Sequence, residues 1–161
     1  MLARSLAFVD RLSASNLGSR PFDPVELAVF GAELHAYSPR PHGKTDSPDA
    51  AQASLRAQTA LEMFTTAWVA TGPLPQAERD WWIENAVRLA SDSDILVRKQ
   101  CAILLWVVRG GAGSESMPER AYQVLKALRD DPFIKDEWTT SMRVIKERAE
   151  KAGRTWTIIG E

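Results

Sequence analysis

Side chains able to do chemistry are sparse in this sequence and do not converge on a motif. His35 stands near Glu33, and His42 stands near Asp46 in a proline-rich stretch. A zinc site needs three or four converging ligands, and neither histidine belongs to a His-Glu-x-x-His or comparable pattern. Cys101 is the single cysteine and lies inside an apolar run, so no internal disulfide forms and the thiol is expected to be buried and inert. No oriented Cys-His or Ser-His set supports nucleophilic catalysis. The stretch GGAGSES lacks the lysine and the preceding strand of a phosphate-cradling loop. These absences lead to the expectation of a non-enzymatic protein with no cofactor and no metal.

Binding is the alternative to catalysis, and tryptophan is the residue to weigh first. Of six tryptophans, Trp68, Trp82, Trp106 and Trp138 fall on apolar faces and read as core. Trp81 and Trp156 are less accounted for, and an exposed tryptophan is a common interface anchor. The segment MRVIKERAEKAGR carries five basic and two acidic residues, but Glu147 and Glu150 interrupt the stripe. With 20 basic against 21 acidic side chains the net charge is −1, so nucleic acid is not the expected partner.

These residues need elements to hold them, and the periodicity supplies helices. The run SDILVRKQCAILLWVV over residues 93–108 is polar at its start and apolar on every side from Cys101 onward. A helix apolar all round must be covered by its neighbours, so this one belongs in the middle of a core. Ser93 or Asp92 reads as its N-cap, with Asp94 in the first turn and Arg109 at the end to complement the dipole.

Other helices are marked around it. An amphipathic one is expected over residues 2–12, within a 22-residue start that also has the arginine- and serine-rich composition of a mitochondrial presequence. A second follows Asp23 as cap, Pro24 as first residue and Glu26 at capping-box spacing, with Phe30, Leu34 and Tyr37 on one face. A third runs from Ser47-Pro48 to residue 70 or 71, faced by Ala53, Ala57, Leu61, Phe64 and Trp68. A fourth covers residues 76–90, where Trp82 belongs to the buried stripe, Trp81 to its margin, and Glu84 pairs with Arg88. Ser116 and Glu119 give a capping-box spacing for a sixth helix, faced by Ala121, Val124, Leu125 and Leu128, and Asp131-Pro132 open a seventh. Its apolar line is Trp138, Met142, Ile145 and Ala149, opposite Arg143, Lys146, Glu147, Glu150 and Lys151. The proline-rich loop at 38–48 reads as mobile and the glycine-rich stretch at 110–116 as a linker. No window reaches the roughly 18–20 apolar residues that span a bilayer.

Residues 92–105, DSDILVRKQCAILL, resemble the second helix of a HEAT repeat, with Asp94, Val97, Arg98, Ala102 and Leu105 in the matching places. The resemblance implies that Asp94 caps its helix, that Arg98 reaches an adjoining unit, and that the protein presents a surface to another protein. A fainter echo is Asp130-Asp131-Pro132 leading into Trp138. No period near 40 residues repeats cleanly along the chain. The C-terminal order of apolar helix, tryptophan and charged helix is similar to the regulatory region of fungal zinc-cluster transcription factors, without their cysteine cluster.

The expectation is therefore a single all-α domain of about seven helices in antiparallel pairs, as a HEAT-like solenoid or an irregular bundle. Its expected function is that of a non-catalytic scaffold or adaptor, with Trp81, Arg98 and Trp156 as partner-binding residues. The alternative is a helical regulatory or ligand-binding domain. A cytoplasmic location is expected, because a lone buried thiol suits a reducing compartment.

Overall fold

A computed structural model describes residues 24–41, 47–71, 76–110, 117–151 and 153. The helix expected over residues 2–12, its presequence alternative, the Asp23 cap and Trp156 lie outside them. Six helices and no strand occur among the described residues: α1 Pro24–Ala36, α2 Pro48–Thr71, α3 Gln76–Leu89, α4 Ile95–Gly110, α5 Glu119–Arg129 and α6 Pro132–Lys151. The fold is all-α. None of these helices is long and apolar enough to cross a membrane.

Helix α4 is the central element its composition demands. All eight residues from Cys101 to Val108 are buried, and Val97 joins them one turn earlier. Helices α2, α3, α5 and α6 all pack on it, with α2 its most extensive partner. Full burial of each large aliphatic side chain stabilises the fold by about 1.5–3 kcal/mol. Helix α6 also touches α2.

The buried faces follow the spacing in the sequence, that of α1 packing on α2. Phe30, Leu34 and Tyr37 are buried on α1, Ala57, Leu61, Phe64 and Trp68 on α2, and Ala121, Leu125 and Leu128 on α5. Helix α2 buries more than one stripe, because Met63, Thr65 and Thr66 are covered as well. The two threonine hydroxyls donate to the carbonyls of Leu61 and Glu62, which is how a hydroxyl tolerates a covered position inside a helix. Phe64 stacks on Trp82 at 4.5 Å between ring centroids, and Trp81 meets Trp82 edge-on at 5.2 Å. Such pairs stabilise by about 0.5–1.5 kcal/mol beyond their buried area.

Caps set the boundaries. Ser47 Oγ accepts the Ala50 amide at 3.1 Å and opens α2, and Asp131 Oδ1 accepts the Phe133 amide at 2.9 Å and opens α6. Asp94, not Ser93 or Asp92, caps α4, accepting the Leu96 amide at 2.8 Å. Ser116 lies outside the described residues; helix α5 has Pro118 at its N-cap, with no side-chain hydrogen bond there, and its first turn is closed by the Tyr122 amide donating to the Pro118 carbonyl at 3.1 Å. On α6, Arg143, Lys146, Glu147, Glu150 and Lys151 are exposed, and Lys146 faces Glu150 at 3.8 Å.

Candidate cluster at the turn end

The densest group of polar side chains lies where three helix pairs turn. Arg88, near the end of α3, donates to the Tyr37 carbonyl at 2.7 Å and to the Leu34 carbonyl at 3.0 Å. These oxygens close α1, where the last carbonyls have no partner within their own helix and favour a cation. Arg88 also donates to Asn85 Oδ1 at 2.9 Å. Arg88 thus turns to the end of α1 and to Asn85 instead of to Glu84, with which it was expected to pair.

Asp92 is the centre of the cluster and is fully buried. Its Oδ2 accepts the Tyr37 hydroxyl at 2.8 Å and the Arg40 amide at 3.0 Å, and its Oδ1 accepts the Asp94 amide at 2.8 Å. Three donors satisfy a carboxylate that would otherwise be costly to bury. The Tyr37 proton is given to Asp92, so at the 3.2 Å contact between Tyr37 and Ser54 the serine hydroxyl is the donor. Arg40 Nη2 donates to Ser54 Oγ and lies 3.4 Å from Asp94 Oδ2. Gln58 approaches the same Asp94 oxygen at 3.4 Å.

Arg40 ties the start of the proline-rich stretch to the same cluster. Its amide donates to Asp92, and its carbonyl accepts the Ser93 amide at 3.0 Å. Residues 38–41 therefore lie pinned across the start of α4, while His42 and Asp46 fall outside the described residues.

The third pair joins through Arg98. Its Nη1 donates to the carbonyls of Asp92 at 2.8 Å and Ser93 at 3.1 Å, and its Nη2 lies 3.2 Å from Asp131 Oδ2. Asp131 in turn caps α6. The ends of α1 and α3 and the starts of α2, α4 and α6 thus meet in one network. Three aspartates, Asp92, Asp94 and Asp131, stand against three arginines, Arg40, Arg88 and Arg98, so the formal charges cancel.

The hydrogen-bonded chain Asp92–Tyr37–Ser54 has the look of a proton relay but is covered: Ser54 is 1% and Asp92 0% exposed. Burial, and after it the Asp92 carboxylate, raises the Tyr37 phenol above its ordinary value despite the opposing Ser54 and Arg40 hydrogen bonds. Tyr37 therefore stays neutral and donating. Burial pushes the Cys101 thiol upward as well, with the Asp92 charge adding to it. A thiol held protonated in this way is not a nucleophile.

The expected partner-binding residues are placed as follows. Arg98 is committed to internal bonds, and 12% of its side chain is exposed. Trp81 is partly buried at the margin of the core, its ring over Gly31 of α1 and 6.4 Å from the His35 ring. The structure does not bring these two residues together. Large apolar side chains are exposed elsewhere: Leu96 at 48% and Phe133 at 71%, the second helical residues of α4 and α6, beside the caps Asp94 and Asp131. Val29, Leu55 and Val144 are exposed too. Among the described residues, no three His, Cys, Asp or Glu side chains gather where they could hold a metal ion.

Sequence reading did not single out Tyr37, Arg40, Ser54 or Asp92 as a group. The Asp-Ser-Asp spacing does signal one local bond, an Asp side chain accepting the amide two residues on. Nothing local announces Arg40, which lies 52 positions from Asp92.

The class that fold and cluster define is an all-α protein organised on one enclosed helix, with an internally neutralised polar end. No protein-family model, curated protein or solved structure matches the chain.

Proposed function

We propose that this chain is a non-catalytic helical scaffold or adaptor, built of HEAT-like helix pairs, that presents its surface to another protein. The observation that carries the reading is the internal commitment of the turn-end charges beside exposed apolar side chains. Asp92, Asp94, Arg98 and Asp131 bond to one another's elements, while Leu96 and Phe133 point into solvent next to them. Large apolar residues left exposed beside rigid caps are suited to bury against a partner.

The HEAT-like part of the proposal draws on α4. Asp94 caps it, Val97, Ala102 and Leu105 are buried, and Arg98 reaches the cap of α6 in the following helix pair. The protein acts in the cytoplasm on this reading, which rests on the single buried free thiol.

The test is affinity purification of the tagged chain beside a Leu96→Ser/Phe133→Ser variant with unchanged helicity and melting temperature. The adaptor reading expects a stoichiometric protein partner recovered by the parent chain and lost with the variant. Recovery of no such partner, while a small molecule raises the melting temperature, overturns it in favour of a ligand-binding domain.

A further inference from the structure

We draw no further inference here: the strongest candidate, the exposed apolar pair Leu96 and Phe133 at the turn end of α4 and α6, already belongs to the proposed interaction surface, and nothing in the structure shows what covers it.

Discussion

Arg98, in the first turn of α4, meets the cap of α6 by placing its guanidinium 3.2 Å from Asp131. Both side chains are largely covered, at 12% and 19% exposure, so solvent screens the pair less than a surface one. Arg98→Met strands the Asp92 and Ser93 carbonyls as well as Asp131, and is expected to lower stability by about 1.5–3 kcal/mol. Asp131→Asn keeps an acceptor for the Phe133 amide and should cost less. A double-mutant cycle by urea unfolding is expected to give a coupling of roughly 0.5–3 kcal/mol. Additive effects would remove the pair as a link between α4 and α6.

The Tyr37 hydroxyl gives a second test, through pH. Tyr37→Phe deprives the buried Asp92 of a donor and is expected to cost about 1–3 kcal/mol. The folded phenol titrates above its unfolded value of about 10, chiefly through burial. Below that value both states keep the proton and the contribution is complete. As pH rises from about 10 through the folded value, the unfolded chain releases its proton first and the contribution is lost. The advantage of the parent chain over the variant should hold steady from about pH 7 to about pH 9 and shrink beyond about pH 10. A constant gap across that range would contradict a buried, hydrogen-bonded phenol.

How much of this was legible in the sequence depends on distance along the chain. The all-round apolar run of α4, the caps Ser47 and Asp131, and the stripes of α1, α2 and α5 are local patterns, and the structure keeps them. The misses share one cause. Arg88, Arg40 and Tyr37 answer to partners more than 50 positions away, and no helical spacing encodes those partners. The Ser116–Glu119 spacing placed the helix start two residues early: Pro118 is the N-cap and Glu119 the first helical residue.

Gly31, inside α1, offers a stabilising change. A Cβ built there would lie 3.5 Å from Trp81 Cη2, an ordinary van der Waals contact. Gly31→Ala therefore gains the helix preference of alanine without a clash, roughly 0.8–1 kcal/mol. Thermal unfolding should show a higher midpoint. A lower one would mean that Trp81 sits closer to α1 than 3.5 Å from that position.

Cys101 should behave as a core residue with no chemistry of its own. It is fully buried on α4, and burial raises its thiol above the ordinary range. Reaction with an aromatic disulfide reagent is expected to be no faster than opening of the native state, and immediate in denaturant. Rapid labelling of the folded protein at neutral pH would show that α4 is not enclosed.

The central claim is that the charged cluster at the turn end exists to hold the helices together. Residues kept for catalysis or ligand binding often leave a protein as stable or more stable when replaced, whereas a structural centre does not. The direct measurement is the urea unfolding free energy of Asp92→Ala beside the parent chain. A structural centre predicts a clear loss, because the Tyr37 hydroxyl and the Arg40 and Asp94 amides lose their shared acceptor, at about 1–3 kcal/mol for each donor left buried and unsatisfied. Unchanged or increased stability would contradict the account and make Asp92 a residue retained for function.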